Sequence, residues 1–175
     1  ARTLVWGFGA IGLATARLLT AFGANVRGVA RSAGERAGFE VIAVADVDAV
    51  LPDTDLLVMV LPSTSQTTGA LSAERLALLP RRAVVINVGR GTTVDQAALE
   101  TALRNGTISA AGIDVTDPEP LPADSTLWDA PNLLLTPHAA GGRVVGAVER
   151  IIANAAVVEA TPPGEPITGL EALVR

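Results

Sequence analysis

A chain of 175 residues and 17.8 kDa can form one ordinary domain with a real core and is too short for two of typical size. Its 49% hydrophobic and 18% charged residues predict burial rather than disorder. The absence of Cys excludes disulfide and thiolate chemistry, the single His leaves little for a metal site, and a net charge of -5 argues against a nucleic-acid surface.

The longest apolar run is Leu56 to Leu61, far short of the ~20 residues of a membrane span. The lack of Cys suits a reducing cytoplasm, the expected compartment, and no secretory signal is visible at the amino end; neither membrane nor nucleic acid is expected as partner. All 13 basic residues are Arg, a side chain that recognises anions singly.

Strand-like runs alternate with helix-like segments from end to end. That pattern predicts an α/β, Rossmann-type doubly wound fold, a mostly parallel sheet with helices on both faces. Strands are expected near 3–7, 25–30, 40–44, 55–61, 83–87, 109–114 and 132–135. Between the first two, the spacing of Ile11, Ala14, Leu18 and Phe22 predicts a helix that packs this face on the sheet, with Gly23 ending it. Further helices are expected over 94–104 and 142–159. The second carries Val144, Val148, Ile151, Ala155 and Val158 at helical spacing, before Pro162-Pro163-Gly164. Residues 1–160 are read as a dinucleotide-binding domain and 161–175 as a tail.

Gly7-Phe8-Gly9-Ala10-Ile11-Gly12 matches G-x-G-x-x-G directly after a predicted strand and at the opening of a helix. Gly7 permits a tight turn, Gly9 lets the backbone approach a pyrophosphate, and Gly12 lets helix and strand pack closely. The helix N-terminus then meets phosphate charge. An NAD site of this kind carries an acid about 20 residues on, for the ribose 2′-OH. Here the second strand runs into Arg31-Ser32, which can instead hydrogen-bond a 2′-phosphate. NADP(H) is therefore favoured; a solvated Arg31 in a site that uses NAD stays open.

Three strand-end segments carry chemistry if they converge. Arg90, between Gly89 and Gly91 at a strand terminus, can hold a carboxylate bidentately. Asp114 to Pro120 delivers acids into a proline-stiffened loop. Pro137-His138 brings the lone His to another strand end among small residues. A lone His is more often structural than catalytic. If Glu119 accepts a hydrogen bond from one ring nitrogen, the tautomer is fixed and the other nitrogen is left to move a proton.

Gly7 to Gly12, Leu61 to Thr67, Asn87 to Gly91, Gly112 to Pro120 and Pro137 to Gly141 together resemble the D-isomer-specific 2-hydroxyacid dehydrogenases, in family order over nearly the whole chain. Asp114 to Pro122 and Ala30-Arg31-Ser32 look most like glyoxylate/hydroxypyruvate reductases. The resemblance implies that Arg90 orients a 2-oxoacid carboxylate, that His138 protonates its carbonyl and that Glu119 supports His138. It also implies that Asp114 binds the nicotinamide carboxamide, that Leu61, Pro62, Thr67, Val88 and Gly89 line the cofactor, and that Ala140 lies beside it. In this family a substrate domain precedes the glycine fingerprint, whereas this chain opens at the first strand. The expectation is a cofactor domain, poorly active alone, with a homodimer through that domain open. A non-catalytic dinucleotide sensor resembling corepressor relatives is the rival reading, and S-adenosylmethionine on the same fold is a weaker one.

Overall fold

A computed structural model describes residues 1–141 and, beyond them, Ala153, Asn154, Ala156, Val157 and Ala160, which are helical. The chain divides into two compact units, residues 1–138 and 139–175. Most of the expected helix over 142–159, the Pro162-Pro163-Gly164 break and the tail over 161–175 lie outside the described residues.

In the first unit, β1 (Arg2–Trp6), α1 (Ala10–Ala21), β2 (Asn25–Ala30), β3 (Gly34–Arg36), β4 (Phe39–Ala43) and β5 (Leu56–Met59) make the first half. Then come α2 (Ala73–Leu78), β6 (Val84–Asn87), α3 (Gln96–Arg104), β7 (Ala110–Ile113) and β8 (Leu133–Leu135). The strands form one 8-stranded sheet in the order β3-β4-β2-β1-β5-β6-β7-β8. Every pair is parallel except the β3–β4 hairpin. The chain thus winds outward from β1 in both directions, which is the doubly wound arrangement expected. Among the described residues, no helix is long and apolar enough to cross a membrane.

Alternation along β1 divides the core. Leu4 and Trp6 join a large cluster with Leu57, Met59, Leu76, Leu99 and Leu103, which puts α2 and α3 on one face. Val5 joins Phe8, Ala16, Val26, Val41 and Val58 on the α1 face.

Two features depart from expectation. The stripe Ile11, Ala14, Leu18 and Phe22 does not pack on the sheet: Ile11 is 68% exposed, Leu18 64% and Phe22 87%. The inner face of α1 is instead Gly12 and Ala16, with Leu13 and Leu19 beside them. Small residues win because the helix lies close: a Cβ on Gly12 would collide with the Gly7 carbonyl. Secondly, β3 and α2 were not anticipated. β3 is three exposed residues inside a Gly-rich stretch, and α2 is a six-residue helix capped by Ser72, whose hydroxyl accepts from the Arg75 N–H.

Candidate functional site

Parallel pairing sends the carboxyl ends of β1, β5, β6, β7 and β8 to one edge of the sheet, where open α/β sheets bind ligands. Backbone hydrogen bonds continue past the strand ends. Gly7 N–H donates to the Val29 carbonyl, Val60 to Trp6, Val88 to Met59, Asp114 to Asn87 and His138 to Asp114, over 2.8–3.1 Å. The segments singled out in the sequence are therefore neighbours in order along one rim.

The glycine loop holds its turn through contacts only Gly permits. Gly7 has φ 107° and a Cβ there would collide with the Val60 carbonyl, whereas a Cβ on Gly9 would meet nothing within 4 Å. Gly9 is thus bare backbone beside open space at the start of the 12-residue α1, whose first N–H groups have no intrahelical acceptor. A groove of about 510 Å³ runs from this loop. Gly7, Phe8, Gly9, Arg31, Leu61, Pro62 and Thr67 line it, together with Ala30, Arg36, Val44, Thr64 and Gln66. A bare glycine, an open helix end and a facing arginine suit a dinucleotide diphosphate and its adenosine end.

Not every expected contact lines that groove. Phe8 offers only backbone, because its ring is buried edge-to-face on Phe39 at 5.8 Å and against Gly28. Gly12 is buried under the turn, and Ala10, Ile11 and Ser32 are exposed outside the lining. Val88 and Gly89 stand at the end of β6, where Gly89 N–H donates to Asn87 Oδ1 at 3.0 Å. Ala140 belongs to the second unit.

Arg90 follows β6 and is exposed, with Nη1 donating to its own neighbour's carbonyl, Gly89 O, at 2.7 Å. The turn under it is fastened by Asn87, whose Nδ2 donates to Arg90 O at 3.0 Å, and by the Thr93 hydroxyl donating to the same oxygen at 2.7 Å. Asn87 is 1% exposed; as a buried polar residue at a strand end it positions Arg90, a role the sequence reading did not assign it.

His138 and Glu119 do meet. Nδ1 of His138 lies 2.6 Å from Glu119 Oε1. Both side chains keep solvent access, at 44% and 38%, as proton exchange requires. They face a second cavity of about 310 Å³ that Asp114, Thr116, Leu121, Trp128 and Thr136 also line. Asp114 is buried and accepts a short hydrogen bond from the Thr136 hydroxyl. Thr136 is a further contributor unnoticed in sequence, since a threonine before Pro-His gives no sign of the carboxylate it will meet. Trp128 Nε1 donates to Pro122 O at 2.8 Å, pinning the loop that carries Glu119.

Residues 1–140 match the family described as D-isomer specific 2-hydroxyacid dehydrogenase, NAD binding domain. The chain is 43% identical over 136 residues to a glyoxylate/hydroxypyruvate reductase B of Serratia proteamaculans, covering 77% of this chain and 42% of that one. It is similar to the crystal structure of a D-isomer specific 2-hydroxyacid dehydrogenase from Xanthobacter autotrophicus in complex with NADPH and MES. That similarity has a TM-score of 0.77 and 40% identity, over 98% of this chain and 71% of that one. An NADPH-dependent glyoxylate/hydroxypyruvate reductase from Sinorhizobium meliloti, in complex with NADP and sulfate, also gives a TM-score of 0.77. Its identity is 34%, over 99% of this chain and 56% of that one. The chain spans about half the length of the curated relatives it matches.

Proposed function

Because the chain belongs to the D-isomer specific 2-hydroxyacid dehydrogenase family, whose NAD binding domain its residues 1–140 match, we propose that it is the cofactor-binding part of a 2-oxoacid reductase that prefers NADPH and acts on small acids such as glyoxylate or hydroxypyruvate. The observation that carries this reading is the 2.6 Å contact of His138 Nδ1 with Glu119, on the sheet edge that also bears the glycine loop.

When bound, the nicotinamide supplies the hydride. The chain's own residues do the rest. Gly9 and the free N–H groups at the start of α1 hold the diphosphate, with Gly7 and Gly12 forming the tight turn beneath it. Arg31, with Ser32 beside it, takes the 2′-phosphate, and Leu61, Pro62, Thr67, Val88 and Gly89 bound the remainder. Asp114 hydrogen-bonds the carboxamide. Arg90 orients the substrate carboxylate through its paired N–H groups. Glu119 accepts from His138 Nδ1–H, which fixes the ring and leaves Nε2–H to protonate the substrate carbonyl oxygen. A non-catalytic sensor has no use for that last pair, and this favours the enzyme reading.

Saturating NADPH is expected to raise the melting temperature of this chain, and to raise it more than NADH does. Joined to a substrate domain of the family, the chain is expected to oxidise NADPH when glyoxylate is added and only slightly without that domain. Unchanged melting with both coenzymes would remove the cofactor reading. Cofactor binding with no turnover of any 2-oxoacid in the joined protein would instead favour the sensor.

A further inference from the structure

The β3–β4 hairpin brings Arg36 to the groove beside the glycine loop. The antiparallel hairpin pairs Arg36 with Phe39, Glu35 with Glu40 and Gly34 with Val41. Alternation along the hairpin puts Arg36 on the same face as Phe39 and Val41. That is the face which packs with Phe8 of the glycine loop, and Glu35 and Glu40 fall on the opposite one. Arg36 Nη1 accordingly donates to the Phe8 carbonyl at 3.1 Å. Its other N–H groups make no hydrogen bond or ion pair among the described residues, and neither does the guanidinium of Arg31. Both arginines line the same groove. Among the described residues Arg2, Arg75, Arg82 and Arg104 are each neutralised by a carboxylate, whereas Arg17, Arg27, Arg81 and Arg90 are not and do not line this groove.

On the footing of the NADPH reading above, we propose that Arg36 is a cofactor-specificity residue: with Arg31 it forms a two-cation seat for the ribose 2′-phosphate, and its bond to the Phe8 carbonyl fixes that seat against the glycine loop. Two guanidiniums that line one groove without a carboxylate partner among the described residues are electrostatically complementary to a dianionic phosphate and offer nothing comparable to a 2′-hydroxyl. Anchoring through Nη1 also lowers the side-chain entropy lost when the phosphate arrives.

The test is direct titration of NADPH, NADH, 2′,5′-ADP and 5′-AMP into this chain, its Arg36→Ala variant and its Arg36→Lys variant. Loss of one charge-assisted contact predicts NADPH and 2′,5′-ADP binding about tenfold weaker in Arg36→Ala, with NADH and 5′-AMP within about twofold. Arg36→Lys keeps the charge, so it is expected to retain part of the preference and to show whether the alanine variant has merely lost its fold. Equal weakening of all four ligands would reduce Arg36 to a brace of the glycine loop and overturn the proposal. So would unchanged NADPH affinity. A wild-type chain that prefers NADPH alongside an Arg36→Ala variant that prefers it equally would sink Arg36 alone. A wild-type chain that binds NADH as tightly as NADPH would take the NADPH reading down with it.

Discussion

At position 138 the backbone takes φ 54°, a left-handed conformation that His adopts more readily than bulkier or β-branched residues. It is held there by the His138 N–H, which donates to the Asp114 carbonyl at 2.8 Å and to the Thr136 carbonyl at 3.1 Å. The sharp exit from β8 is what brings the ring to Glu119. Asn tolerates the same conformation, so His138→Asn is expected to leave folding stability within about 0.5 kcal/mol in urea denaturation. If the proposed 2-oxoacid reductase activity is restored by joining a substrate domain, the same change is expected to lower turnover by about 10²–10⁴, the usual worth of a positioned acid. Glu119→Gln keeps an oxygen for Nδ1–H and should lose less. A larger loss for Glu119→Gln, with the fold intact, would make Glu119 rather than His138 the proton donor. The contact of His138 with Glu119 was legible because a lone His just past a strand and an acid in a proline-stiffened loop are conspicuous. Asn87, Thr136 and Arg36 were not, because a sequence does not reveal which polar side chains a rim will bury or turn inward.

The strands were legible as elements because parallel strands buried on both faces read as short continuous apolar runs, as in Leu56 to Met59. Helix α1 was legible as a helix and not as a face. Its sequence carries two apolar stripes, and the larger residues sit on the outer one. The inner stripe has Gly12 and Ala16 because the helix is drawn onto the sheet beside the glycine turn, where Ala16 is 0% exposed. Leu18→Ser on the outer stripe should therefore change the unfolding free energy measured in urea by no more than about 0.5 kcal/mol. Ala16→Leu, which adds volume under a helix that cannot lift, should destabilise by about 1–3 kcal/mol. The reverse ranking would restore the outer stripe as the packing face. β3 escaped for a different reason: three residues with neighbouring glycines have no period to read, and only pairing with β4 defines them.

Across the whole first unit the two edges of the sheet have separate tasks. The carboxyl edge gathers the loops that line the groove beside the glycine turn and the cavity beside His138, and the amino edge is fastened by charge. Asp55, just before β5, accepts from the Arg2 backbone N–H at 2.9 Å, from the Arg2 guanidinium, and from Arg82 Nε at 2.7 Å ahead of β6. Three strands that start far apart in sequence are tied at one carboxylate. The Arg2 backbone N–H first, and then the Arg2 and Arg82 side chains, hold the Asp55 carboxyl well below the usual carboxylate range. A depressed folded-state pKa stabilises the ionised native form. Its contribution is complete at neutral pH and declines as pH falls below about 4, where the unfolded chain begins to take up the proton first. Asp55→Asn should therefore be less stable than wild type by a constant gap from neutral pH down to about pH 5, and the gap should narrow steadily below about pH 4. Urea denaturation of both proteins at a series of pH values measures it. A gap that stays level through the acid range would mean that the Arg2 and Arg82 contacts to Asp55 stabilise the sheet through geometry alone, without dependence on its charge.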